Sequence, residues 1–312
     1  MHFCDESANL YAPPPEWADF FTGQAYEAFL QLVLDYFQER EIEVTVGDGV
    51  LVDQERDIHF GLQNLAQMCN QSDYGDWPEI IKIHFESLRR AEDERRDLDQ
   101  QKQDFSKIRD ILAVRLWPAD YLSSLKHVDI VYREDIAGTV SVLVFDLPNS
   151  IIQVSVDDAA LWDREIDDLF DVGLQNTWKG AAPDILMEDL GDDVRVAVFQ
   201  GNSFYIATHA LLLEDYARYV GTYGALVVIP HRHVMVCYPI EDASVIAAVE
   251  KLIIITIQMY NEGPGSISPR LYWYEDGRFI DLPYQIADRQ LHFAPPERFT
   301  AFLNELADSA SY

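Results

Sequence analysis

From Glu86 to Asp104 the only apolar side chains are Leu88, Ala91 and Leu98, set among interleaved Glu, Asp, Arg, Lys and Gln. A stretch this polar buries too little surface to run through a core, so it reads as a solvated helix extension or a linker. It divides the chain, and each side must bury its own apolar residues. We read 1–100 as a unit of helix, β-meander and helix, 105–282 as an α+β domain, and 283–312 as a tail with a short helix. Within the domain, 105–180 and 190–282 share a hairpin-then-helix order. A chain of 312 residues with 48% apolar composition can support more than one such core.

Periodicity supplies the elements. Trp17, Phe20, Phe21, Tyr26, Phe29, Leu30, Val33 and Phe37 recur at three- and four-residue intervals and predict one amphipathic helix. Glu41–Val46, Val50–Asp53 and Ile58–Phe60 predict short strands around the Gly47-Asp48-Gly49 turn, and Pro78 marks the start of a second helix. Beyond the polar stretch, a short helix through Ile108, Ile111 and Leu112 is expected, then a strand over Val128–Tyr132. A hairpin follows around Pro148-Asn149-Ser150. Asp157 is expected to cap a helix with Leu161, Trp162, Ile166, Leu169 and Phe170 inside and Asp158, Asp163, Glu165, Asp167 and Asp168 outside.

Further on, Val194–Phe199 predicts a strand and Leu211–Val220 a helix ended by Gly221. Pro230-His231-Arg232-His233 turns a hairpin between Ala225–Ile229 and Val234–Tyr238. Asp242–Tyr260 is a helix apolar on most sides, stopped by Gly263-Pro264-Gly265. Leu271–Tyr274 and Phe279–Leu282 flank Glu275-Asp276-Gly277 as a last hairpin, and Phe299, Phe302, Leu303 and Leu306 mark a tail helix. Hairpins alternating with helices, without a strand–helix–strand rhythm, predict an antiparallel α+β fold.

Three segments carry a family resemblance: Tyr223–Ile240 (YGALVVIPHRHVMVCYPI), Leu271–Phe279 (LYWYEDGRF) and the VSVLVFDL run from Val140. With the order of elements from Tyr26 to Asp281, they make the chain similar to the YtpQ-like family of uncharacterised bacterial proteins. The resemblance implies the α+β fold and carries no activity or catalytic residue to transfer.

The charge bounds the partners. There are 54 acidic against 23 basic residues, a formal net charge of −31. Such a surface repels phosphate backbones and anionic head groups, so we expect neither nucleic acid nor membrane as a partner. Cys4, Cys69 and Cys237 are odd in number and widely spaced, which suits neither a disulfide framework nor a zinc cluster and points to the cytoplasm. Cys237, in an apolar strand, reads as structural. No Gly-x-Ser-x-Gly, His-Glu-x-x-His or Gly-x-Gly-x-x-Gly motif occurs, and no cofactor is implied.

Two constellations remain. His231, Arg232 and His233 sit at a hairpin turn; two histidines at this spacing can share a side, and Arg232 can fork onto a carboxylate or phosphate. A third metal ligand is missing, so no metal site is assigned. The acidic face of Asp158, Asp163, Glu165, Asp167 and Asp168 would suit a basic protein. Neighbouring carboxylates on a helix diverge by roughly 100° and do not form a hydrolytic pair. The leading expectation is a non-enzymatic protein-binding module of adaptor, chaperone-like or immunity type that meets a basic partner. The alternative is a small-ligand or metal-binding protein, or an enzyme, with its site around Pro230–His233.

Overall fold

The computed structural model describes residues 12–54, 58–125, 129–287 and 290–309. The chain falls into two units, Met1–Arg96 and Asp97–Tyr312. Cys4 and Val128, named above, lie outside the described residues.

In the first unit, the Thr22 hydroxyl accepts the Ala25 N–H at 3.2 Å and so fixes the start of α1 (Gly23–Gln38). The single helix expected from Trp17 is therefore shorter, with a separate 3-10 turn at Glu16–Ala18. Strands β1 (Val44–Val46), β2 (Val50–Asp53) and β3 (Ile58–Gly61) form the expected antiparallel meander. A helix that periodicity did not announce, α2 (Gln63–Asn70), precedes α3 (Trp77–Gln101), which has Pro78 in its first turn. Phe29, Val33 and Phe37 of α1 join Leu51, Phe60, Ile81 and Phe85 in one core. The polar stretch is helix as far as Gln101, and the division between units falls inside it.

The second unit opens with α4 (Phe105–Ile108) and a 3-10 turn at Arg109–Ile111. Leu112, expected in a helix, instead begins strand β4 (Leu112–Pro118), whose burial leaves only Arg115, Trp117 and Pro118 partly accessible. After α5 (Tyr121–Ser124), strands β5 (Tyr132–Arg133), β6 (Thr139–Asp146) and β7 (Ile151–Gln153) complete an antiparallel sheet in which β6 pairs with all three others. The outer edge of β4 is closed by side chains rather than by a strand. Val114 N–H donates to Thr177 Oγ1 at 3.3 Å and Leu116 N–H to Thr208 Oγ1 at 3.2 Å.

Helices α6 (Val156–Ala160) and α7 (Ile166–Gly180) follow, and α7 packs Leu169 and Phe170 on one face of this sheet with Leu143 and Phe145. Then come β8 (Asp184–Asp189), β9 (Arg195–Gln200), a kinked 3-10 segment at Ile206–Tyr219, β10 (Ala225–His231) and β11 (Val234–Pro239). Leu211–Val220 is thus not an α-helix; Leu212 and Tyr216 leave helical geometry. The chain ends with α8 (Val245–Glu262), β12 (Leu271–Glu275), β13 (Arg278–Asp281), β14 (Tyr284–Ala287), β15 (Gln290–Phe293) and α9 (Glu297–Ser309). β14 and β15 pair as a separate hairpin.

The larger sheet runs β13-β12-β10-β11-β9-β8, antiparallel throughout. Asp276 and Gly277, with φ of 48° and 75°, make the two-residue turn that joins β12 to β13. One face of the sheet packs on the 3-10 segment through Phe199, Val227 and Tyr272, and the other on α8 and α9 through Val228, Leu252, Trp273 and Phe299. α8 is not enclosed on all sides, since Ile246 and Ile254 stay exposed. No helix among the described residues is long and apolar enough to cross a membrane.

Candidate functional site

The β10–β11 turn is tighter than the sequence suggested. His231 pairs with Val234 across it, which leaves Arg232 and His233 at the tip. His233 Nδ1 lies 3.2 Å from the Gly201 carbonyl and 3.1 Å from that of Ser203. Carbonyls only accept, so Nδ1 carries the proton, and Nε2 is left to accept Arg232 Nε–H at 3.0 Å. His233 thereby buckles the hairpin to the loop between β9 and the 3-10 segment. His231 Nδ1 accepts the His233 backbone N–H at 3.3 Å. A Cβ at residue 263 would lie 2.1 Å from His231 Cδ2, so the glycine that ends α8 also gives this ring its room. Burial first, then His233 and Arg232, hold the His231 imidazole below its ordinary pKa.

His231 and His233 line a cavity of about 510 Å³ with Asp184, Gln200, Asn202 and Met259. Both border this cavity, but the strand ends at His231, so the period-two argument that would place the two rings on one side does not apply to His233 in the turn. Among the described residues no three His, Cys, Asp or Glu side chains gather as a metal set.

The same loop also borders a larger cavity, of about 730 Å³, which sequence reasoning missed. Its wall is drawn from β4, the β6–β7 turn, the end of α7 and Asn202–Tyr205. Arg115 enters it from β4, whose pleat puts Ala113, Arg115 and Trp117 on one side and Leu112, Val114 and Leu116 on the other. The guanidinium carbon lies 4.2 Å from the Trp117 ring centre and 5.3 Å from that of Phe204. Its Nε is buried with no hydrogen-bond partner among the described residues. Burial first, then the positive charge of Arg232, press its pKa below the ordinary arginine value. An arginine nonetheless stays cationic near neutrality.

Arg232 reaches the same aromatic, 4.5 Å from the Phe204 ring centre. Among the described residues, neither Arg115 nor Arg232 forms an ion pair with a carboxylate. The nearby Asp146 is engaged otherwise: it accepts the Tyr205 hydroxyl at 2.7 Å, and burial together with this bond raises the Tyr205 pKa, so the phenol remains a donor. Asn176 Nδ2 donates to the Arg109 and Leu112 carbonyls, which fixes its amide at the rim. The result is a recess that sets one guanidinium, Arg115, among two carboxylates, Asp110 and Asp146, with Phe204 and Tyr205 in its wall.

The acidic face is reorganised. The single helix expected from Asp157 breaks, because Asp163 takes a left-handed φ of 48° between α6 and α7. Ser155, not Asp157, is the cap, accepting the Asp158 N–H at 3.0 Å. Asp158 is drawn inward onto Lys102 Nζ at 2.9 Å and its side chain is only 15% exposed. Asp167 pairs with Arg133 at 3.2 Å. Asp163, Glu165 and Asp168 remain exposed, but they follow a turn and the first residues of α7 rather than one helix face. Cys69 and Cys237 are buried free thiols, with burial pushing Cys69 up to about 11.

His209 stands behind the cavity wall, fully buried, with Nε2 2.7 Å from the Ala181 carbonyl and Nδ1 2.8 Å from the Tyr216 hydroxyl. The carbonyl requires the proton on Nε2, and in the neutral ring Nδ1 then accepts from Tyr216. Burial lowers its pKa below 6.5, against the opposing effect of the Ala181 bond. The unfolded chain therefore binds a proton that the folded chain refuses, and stability is lost as pH falls below the unfolded value. We expect a slope of up to about 1.4 kcal/mol per pH unit from this group. Urea unfolding between about pH 7.5 and 5.5 should show a shallower slope for His209→Gln, which keeps a donor toward Ala181 but does not titrate.

Compared with protein-family models, curated proteins and solved structures, the chain has no match.

Proposed function

We propose that the second unit binds a small anionic ligand, a carboxylate or phosphate compound, in the Arg115 cavity. The observation that carries this reading is the Arg115 guanidinium: it faces a cavity of about 730 Å³, and among the described residues its Nε has no hydrogen-bond partner and it forms no salt bridge, the Asp146 charge acting on it only at a distance. A volume in the range of roughly 300–1,000 Å³ suits a small ligand. The planar fork matches two oxygens of one anion, and the Trp117 and Phe204 rings flank the guanidinium at 4.2 and 5.3 Å.

This moves the ligand-binding alternative from the tip of the β10–β11 hairpin to the far side of the loop that His233 anchors. Arg232 then contributes field rather than direct contact. The expectation of a cytoplasmic protein belongs to the same proposal. The YtpQ-like resemblance contributes nothing to it, because that family brings no activity to transfer.

Thermal unfolding of the full chain with phosphate, pyrophosphate or citrate at constant ionic strength tests the reading. A ligand at about one hundred times its Kd adds roughly 2.7 kcal/mol, or roughly 5–10 °C in Tm for a unit of this size. A saturable rise with at least one of these anions, absent with chloride, is expected. Equal small shifts with every salt would show nonspecific screening and overturn it.

A further inference from the structure

β8 lies at one margin of the six-stranded sheet and, among the described residues, pairs with β9 alone. The Leu190 N–H to Val194 carbonyl bond of 2.8 Å closes the β8–β9 turn and sets which residues bond inward. Counting back in steps of two along an antiparallel ladder, Leu186 and Glu188 face β9, while the backbone groups of Ile185, Met187 and Asp189 point away from the sheet. None of these outward groups meets a partner among the described residues. The contrast is with β4, where Thr177 and Thr208 supply acceptors along the free edge.

Natural edges are blunted by charged side chains, lysine above all, by proline, by a bulge or by a covering element, and carboxylates guard an edge against a like-charged strand while admitting a basic one. The sequence DILMED of β8 has no lysine and no proline, and its register with β9 is unbroken. Leu186 and Met187, on opposite faces, are 45% and 48% exposed. Asp184, Glu188, Asp189 and Asp193, along and just beyond the strand, are negative and form no ion pair among the described residues; Asp192 pairs with Lys251 at 2.9 Å, and Arg195 stands across the ladder from Asp189. A second copy of β8 would bring like charges together and be repelled.

We propose that β8 receives an extended, basic segment of a protein partner by strand addition, with Lys or Arg side chains opposite Asp184, Glu188 and Asp189 and apolar side chains over Leu186 and Met187. The outward N–H and C=O groups supply affinity, and the carboxylates select the sign of the partner. This goes beyond the cavity reading and stands whether or not that reading does. It gives the expected basic partner a different address from the acidic residues of α6 and α7.

The probe is an end-blocked hexapeptide Lys-Lys-Val-Val-Val-Lys, which in antiparallel register sets Lys opposite Asp189, Glu188 and Asp184 and Val opposite Met187, Leu186 and Ile185, compared with Glu-Glu-Val-Val-Val-Glu, added to the full chain. Amide hydrogen exchange read by NMR should slow at least tenfold at Ile185, Met187 and Asp189 with the lysine peptide and remain unchanged with the glutamate peptide. Met187→Pro removes one outward donor at a position where an edge strand tolerates proline, and should weaken the lysine peptide at least tenfold. The exposed double reversal Glu188→Lys/Asp189→Lys should do the same with the fold intact. The proposal is overturned if neither variant weakens binding or if both peptides protect equally. It also fails if the three amides are already slow without peptide, since the edge would then be covered by the chain itself or a second copy.

Discussion

Arg115→Met is expected to stabilise the second unit by about 1 kcal/mol while weakening anion binding about 100-fold. The two effects have one cause. A buried donor without a partner costs about 1–3 kcal/mol, and Arg115 Nε is such a donor. Methionine keeps the unbranched apolar stem against Trp117 and removes the donor and the charge. Binding suffers because a charge-assisted contact to a desolvated anion is worth about 2–5 kcal/mol when one partner is truncated. Urea unfolding and calorimetric titration with the strongest anion read the two quantities separately. Loss of both stability and binding would make Arg115 a structural brace, and gained stability with retained binding would remove it from the site. Arg115→Lys, with the charge but not the fork, should fall between the wild type and the methionine variant in affinity.

Gly224→Ala is expected to cost the second unit about 4 kcal/mol or more, among the largest effects any single methyl group could have in this chain. Gly224 has a φ of +85°, and a Cβ there would lie 2.1 Å from the Tyr274 carbonyl oxygen, a backbone atom of β12. The loop cannot yield without losing its own bonds. Gly224 and Gly221 exchange N–H to C=O bonds at 3.0 Å in both directions, and the Gly224 carbonyl accepts Ile240 N–H at 2.9 Å. Gly180→Ala at the end of α7 is the matched control: its Cβ would meet nothing within 4 Å, so its effect should stay within about 1 kcal/mol. Chemical denaturation of the two variants compares them. A Gly224→Ala protein as stable as the wild type would show that β12 can shift to admit a side chain.

The hairpins were legible because their turns are chemical signals. Asp276-Gly277 reads as a two-residue turn in any context, and the positive φ angles meet that demand. α8 and α9 were legible because long apolar periodicity survives on elements with one deep face. What failed had shared causes. β8 drew no reading from the sequence, because an edge strand exposes both faces and hides its alternation. The 3-10 segment has no period that an α-helical template matches. The acidic helix broke at Asp163, where a short polar side chain accepts a left-handed backbone that the sequence pattern does not encode.

The cavity was the least legible feature, since it joins residues 110–115, 146–151, 176–181 and 202–205. One trace of it was present: a single arginine in the otherwise apolar run LAVRLWP. Read as a strand, that run puts the charge on an inward face, where it needs a reason. Read as the end of a helix, it did not stand out.

The threonine closure of β4 turns two backbone amides into gauges of a different event. A neighbouring strand protects an amide for as long as the sheet survives, whereas Thr177 and Thr208 protect Val114 and Leu116 only while α7 and the 3-10 segment stay docked. Solvent exchange at these two positions therefore reports the lifting of the helical layers, not the melting of the sheet. Arg115 lies between them on the strand, so whatever steadies its side chain registers on both neighbours.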